Sequence, residues 1–412
     1  MNTPPGGLRQ PASLARLLPL CLLVFVDAMG FAMIAPILAA HPLGQGEAVQ
    51  GILYGVAIGI YPLATFFAAP ILGTLSDRAG RLPVMLICGG GLMLSYAGIA
   101  IGLVLGSASL VILGRLVGGL TAATQAVALA ALGDTGPAAG KDGRLNAGLF
   151  SSSLGFVCGP ALSGALSGIG SMAEQVVPLA VVVILTAITL IWLRAGGDRQ
   201  GAETGGLWRA VRQGLGGSAR NPAHGLSTSR LRLLALIFLF QQLGWGAFFF
   251  FVAPFLLANL GFSSGAASFY MALLGAGFCL SFAIAMPVLR RFFPVGAIAR
   301  GSLVLTTLCI FLAALLQFPA LQWAVSLPVA TAVAVGYGAI IMLFTREAPD
   351  RQGEILGATA SINALAFGVT SVLSGLIASL GAAAPILCAA VLMAASAVLL
   401  LVNLQTKESP AL

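Results

Sequence analysis

Gly73-Thr74-Leu75-Ser76-Asp77-Arg78-Ala79-Gly80-Arg81-Leu82-Pro83 is the stretch on which the reading of this chain turns. It joins two apolar runs, near 50–75 and 83–105, and sets one acid and two arginines between Gly73 and Arg81. Each flanking run is long enough to cross a bilayer as a helix, which needs roughly 20 mostly apolar residues. A short charged knot between two such runs marks a turn at a membrane surface, where glycine permits tight backbone.

Working outward, the same alternation continues along the chain. Of 412 residues, 59% are apolar, 8% are charged and 53 are glycine. Soluble domains carry about 25% charged residues, so a water-soluble enzyme or a nucleic-acid-binding domain is excluded. Cutting at polar, Gly/Pro-bearing breaks gives twelve spans, near 17–40, 50–75, 83–105, 108–132, 144–169, 176–195, 231–258, 265–290, 295–316, 319–345, 353–380 and 382–404. The runs are too long, and too poor in two-residue alternation, for barrel strands. The first follows Arg9 and Arg16 as a signal peptide would, but its length and its central Asp27 mark it as a retained span. All six cysteines fall inside apolar runs, where packing is the expected role.

An even number of spans puts both termini on one side. With the N-terminus in the cytoplasm, nineteen of the twenty Lys and Arg fall in inside segments, and the other, Arg115, lies within the fourth span. The outside loops hold Glu47, Glu174 and His41. The net charge of +8 is therefore an orientation signal, not the mark of an acidic ligand. The longest inside segment divides the chain into an N-terminal six-helix bundle (1–195), a cytoplasmic linker (196–230) and a C-terminal six-helix bundle (231–412). Three short matches support two equivalent halves: Ala35-Pro36 with Ala253-Pro254, Pro83-Val84 with Pro294-Val295, and Leu162-Ser163-Gly164 with Leu373-Ser374-Gly375. Two such halves are expected to meet around a central cavity that holds a substrate.

The opening stretch resembles the signature loop of the major facilitator superfamily (MFS), Gly-x-Leu-x-Asp-Arg-x-Gly-Arg, departing only at the following position, Leu82. The resemblance implies an all-α integral membrane fold of 12 transmembrane helices in two pseudo-symmetric six-helix bundles. It also implies a cytoplasmic latch formed by Gly73, Asp77, Arg78, Gly80 and Arg81. In the fifth span, Gly155-Phe156-Val157-Cys158-Gly159-Pro160-Ala161-Leu162-Ser163-Gly164 is similar to the family's antiporter motif, with Ser163 in place of a glycine. Gly155, Gly159, Pro160 and Gly164 carry that likeness. Physically, they make a small-residue ridge that allows close helix approach, and packing is the alternative role.

Asp27 is the most informative single residue. A carboxylate in mid-span is costly and normally faces a partner or an aqueous cavity, where it can take up and release protons. Asp27-Ala28-Met29-Gly30-Phe31, closed by Pro36, resembles the first span of the tetracycline-type drug exporters of this superfamily. Arg115 opens Arg115-Leu116-Val117-Gly118-Gly119-Leu120-Thr121-Ala122-Ala123, which resembles the family's fourth-span motif with Gly118 and Thr121 as departures. The resemblance implies a role in proton coupling, and a structural arginine is the alternative. At ~1.5 Å per residue, Asp27 and Arg115 differ in depth by ~10 Å, which leaves direct contact open. Gln241, Trp245 and Asn363 are the cavity candidates of the second half, ahead of Tyr270 and Tyr337. By the offset of the Ala-Pro match, Trp245 stands where Asp27 stands in the first half.

No Gly-x-x-x-x-Gly-Lys phosphate loop is present, so ATP is not the fuel. His41 and His224 are too few and too far apart for a metal or triad site. The expectation is a transporter, not an enzyme. It needs no cofactor or metal, sits as a multi-pass monomer in the lipid bilayer of a bacterial inner membrane, and binds no nucleic acid. It would export a small amphipathic compound (drug, siderophore or metabolite) by proton antiport and alternating access. Import or facilitated diffusion by the same fold, or a non-transporting scaffold or sensor, are the alternatives.

Overall fold

In the computed structural model the described residues are 14–135, 140–196, 228–347 and 352–403. They contain 12 helices long and apolar enough to cross a membrane. The spans in order are Leu17–Ala40, Glu47–Ala79, Arg81–Val104, Ala108–Asp134, Gly143–Ala165, Val176–Ala195, Ser229–Leu260, Ser264–Phe292, Val295–Leu315, Pro319–Glu347, Ile355–Leu380 and Ala384–Asn403. Each expected span has its counterpart. Most of the linker expected at 196–230, together with His224, Asp350 and Arg351, lies outside the described residues.

The packing order repeats between halves. In the first, span one packs on five and six, span three on four and six, and span two on four. In the second, span seven packs on eleven and twelve, nine on ten and twelve, and eight on ten. Adding six to each number of the first set gives the second. Across the halves, two pairs with eleven and five pairs with eight, which exchange under the same operation. The Leu-Ser-Gly match lies on these two seams: Gly164 meets Gly265 on one, and Gly375 meets Gly51 and Gly55 on the other. Absence of a side chain is what lets the backbones approach there.

The structure departs from the sequence expectations in four places, each with a local cause. The second span runs through the charged knot as helix to Ala79, so Gly73 is helical and makes no turn. Only Gly80, at φ 92°, adopts the left-handed backbone that reverses the chain before Arg81. The fourth span is two helices, Ala108–Leu120 and Thr124–Asp134. Gly118-Gly119 weakens it there, and the Thr121 hydroxyl donates back to the Val117 carbonyl at 2.9 Å. The eighth span contains a wider turn at Ser281–Ala285, just before Pro287. Finally, the seventh span starts at Ser229 instead of 231, because the Thr228 hydroxyl accepts from the Leu231 amide at 3.2 Å and caps the helix.

By the alternation of the twelve spans, the charged knot, Arg290, Arg291 and Arg346 fall at one end of the bundle, termed here the basic end. Close backbone contacts of glycines between the halves fall away from it: Gly51 to Leu63 of span two meet Gly368 to Ala378 of span eleven, and Gly275 of span eight lies against the Phe156 carbonyl of span five. The chain is thus closed between its halves at the far end.

Candidate functional site

Span one carries Asp27 at its middle, half-buried, and without an ion pair or hydrogen bond among the described residues. The glycine ridge of span five presses on this same segment. A Cβ at Gly155 would meet the Met29 amide nitrogen at 2.8 Å and the Ala28 Cβ at 2.9 Å, and one at Gly159 would run into the Met29 carbonyl. The two motifs singled out in sequence are therefore one structural unit. Pro160 removes the amide that would otherwise bind the Phe156 carbonyl, and it is against this freed carbonyl that Gly275 of the other half sits.

Arg115 is 2% exposed, and its environment settles the question of contact with Asp27. Its Nε donates to the Ala57 carbonyl at 3.0 Å and its Nη2 to the Ile58 carbonyl at 3.3 Å. The reason lies four residues on from Ile58, where Pro62 lacks the N–H that would have satisfied that carbonyl. The guanidinium also stacks over the Tyr61 ring, 4.4 Å from its centroid. No ion pair joins Arg115 to Asp27 among the described residues; Tyr61 and Tyr96 lie within electrostatic reach of both.

Between the halves lies a continuous set of aromatic rings. Phe31 is 5.7 Å from Tyr61, 5.9 Å from Phe156 and 6.1 Å from Phe250. Trp245 packs on Phe249 and Phe278, each at 5.6 Å, and Phe156 reaches both of those rings. Trp245 thus stands at the junction, buried against rings that Phe156 of the first half also reaches. Asn363 is half-buried, with its Oδ1 buried and unpartnered. Gln241 points elsewhere: its Nε2 donates to the Val333 carbonyl at 3.4 Å inside the second half, and its Oε1 has no partner. Tyr270 is buried near Trp323, and Tyr337 packs on Phe238, both inside the second half.

The charged knot makes a compact set at the basic end. Arg81 pairs with Asp77 at 2.6 Å and with Asp134 at 3.2 Å, and its Nη1 donates to the Ser76 hydroxyl at 2.7 Å. Arg78 is exposed. All of these partners belong to the first half. Near them, Arg144 is 8% exposed and donates to the Leu132 carbonyl at 2.9 Å, capping the fourth span.

Sequence reasoning missed Tyr54. Its hydroxyl donates to the Phe250 carbonyl at 2.5 Å, with the Ala35 carbonyl at 3.3 Å as a second acceptor. The Phe250 carbonyl is free because Pro254 stands four residues later. Tyr54 and Tyr61, seven apart on one face of span two, gave the signal, as did the prolines. Tyr54→Phe should loosen the far end. With one neutral hydrogen bond worth about 1 kcal/mol, impermeant-maleimide labelling of Ala378→Cys should rise about fivefold; unchanged labelling would count against this tie.

A family model described as Major Facilitator Superfamily matches residues 20–371. The chain belongs to the Major Facilitator Superfamily. Among curated relatives of this MFS chain, the tetracycline resistance protein, class C, of Escherichia coli is 34% identical over 172 residues, 41% of each chain. The tetracycline resistance protein, class G, of Vibrio anguillarum is 38% identical over 157 residues, 37% of this chain and 38% of that one. The matches thus span about two fifths of the curated relatives' length. Among solved structures, the human organic anion transporter MFSD10 (TETRAN) covers 95% of this chain and 100% of its own at 20% identity, with a TM-score of 0.66. That likeness shows the fold. The chain is a multi-pass membrane protein of this family.

Proposed function

We propose that this MFS chain exports a small amphipathic compound by proton antiport and alternating access. The observation that carries the reading is Asp27, a half-buried carboxylate at mid-span with no partner among the described residues, clasped by the glycine ridge of span five. A proton arriving from outside neutralises Asp27, substrate leaves, and release of the proton inside restores the inward-facing state. The relatives named as tetracycline resistance proteins support a drug among the candidate substrates. Trp245 and Asn363 serve the substrate directly, while Gln241 acts from behind the aromatic rings. Arg115 contributes to coupling by holding the Pro62 bend and the tyrosines beside Asp27.

In this reading, the bundles 1–195 and 231–412, joined by the cytoplasmic linker 196–230, rock against each other as a monomer in a bacterial inner membrane. Both termini and the basic end face the cytoplasm, as the distribution of Lys and Arg supports. The closed far end then makes the described state inward-facing, and the set Asp77, Arg78 and Arg81 latches across the seam in the opposite state. A thermal-shift screen of the purified protein against tetracycline, other drugs, siderophores and metabolites identifies the ligand. Accumulation of that ligand in inverted vesicles under an acid-inside gradient supports export; indifference to the gradient favours facilitated diffusion.

A further inference from the structure

Spans eight, nine and ten enclose a groove of about 490 Å³ that belongs to neither the central seam nor the charged knot. Its walls include Leu280 and Leu289 of span eight, Phe293 just after that span, Gly301 and Leu305 of span nine, and Pro328 of span ten. The wide turn at Ser281–Ala285 borders the groove through Ala285, and the small Ala297, Gly301 and Ser302 of span nine leave space on the facing wall. A side chain added at Gly301 would meet nothing within 4 Å. Two hydroxyls on the lining are engaged by backbone, Ser302 with the Ala299 carbonyl at 3.0 Å and Thr331 with the Leu327 carbonyl at 2.8 Å. The wall therefore offers contact to hydrocarbon and little to a polar ligand.

Size and charge select the occupant. From Leu280 to Phe293 the span-eight wall is ~20 Å long at ~1.5 Å per residue. One leaflet's share of a hydrocarbon core about 30 Å thick is ~15 Å, so the groove matches a chain from a single leaflet. At its basic end, Leu289 and Phe293 flank Arg290 and Arg291, which close the short helix Met286–Phe292. Both arginines are exposed and neither carries an ion pair among the described residues. Arg290 and Arg291 follow the lining residue Leu289 in sequence and put two guanidinium groups at that end of the helix, and such groups suit a phosphate headgroup above an acyl chain.

We infer that this groove binds one anionic phospholipid, its acyl chain along span eight and its phosphate at Arg290 and Arg291. The test uses the full chain in mixed vesicles of phosphatidylglycerol and phosphatidylcholine, extracted gently, with retained lipid measured by native mass spectrometry. Wild type should retain phosphatidylglycerol in preference to phosphatidylcholine. The double variant Arg290→Gln/Arg291→Gln should lose that preference by about tenfold or more, at about 1 kcal/mol per arginine, with its thermal midpoint kept. Gly301→Leu, which fills open space, should reduce retention of both lipids. Equal retention of the two lipids by wild type would overturn the headgroup assignment, and undiminished retention by Gly301→Leu would overturn the groove. Should the double variant fail to fold, those two measurements still decide.

Discussion

Asp27→Asn is expected to abolish proton-driven accumulation while leaving substrate-for-substrate exchange intact. Asparagine keeps the shape and polarity of the side chain but binds no exchangeable charge, so the coupling step is lost and the packing around the side chain is preserved. Asp27 makes no ion pair or hydrogen bond that the change would break, so its thermal midpoint should stay within a few degrees of wild type. The measurement is uptake in vesicles with and without an imposed pH gradient. Driven uptake should fall to the level of protein-free vesicles, and exchange without a gradient should persist. Driven uptake at the wild-type level would remove Asp27 from the coupling step.

The second large effect concerns Arg115. Its two hydrogen bonds to span two exist where Pro62 has freed the Ile58 carbonyl. Arg115→Leu should therefore cost about 2–3 kcal/mol, the range for hydrogen bonds made by a charged group. Pro62→Ala in the same chain should recover part of that, because alanine at this position would again offer an amide to the Ile58 carbonyl. A double-mutant cycle on unfolding in detergent should show a coupling of at least about 1 kcal/mol. Additive losses would mean that Arg115 acts independently of the proline, through Tyr61 or another group.

Much of this architecture was legible in sequence because the membrane imposes it. Span lengths, the grouping of Lys and Arg, and the Ala-Pro and Leu-Ser-Gly matches follow from bilayer thickness and from close approach at two related seams. The motif residues Gly155 and Gly159 were legible too, yet not their target. That they clasp the segment around Asp27 depends on helix rotation, which short motifs do not encode. Arg115 shows the same limit. Depth along two spans left its contact with Asp27 open, whereas the deciding fact was a carbonyl freed by Pro62 on a third span. Gln241 and Trp245 are only four residues apart, but one turns into the second half and the other faces the central rings. Gly73 was read as a turn residue from composition, and the continuing helix through Leu75 and Ala79 shows that Gly80 alone supplies the reversal.

The most direct test of proton antiport is lumenal pH in proteoliposomes loaded with the compound that the thermal-shift screen selects and then diluted into compound-free buffer. As the compound leaves down its gradient, antiport predicts that protons enter and the lumen, reported by a trapped pH-sensitive dye, acidifies. An alkalinising lumen, as symport would give, or an unchanged pH, as facilitated diffusion would give, would contradict it.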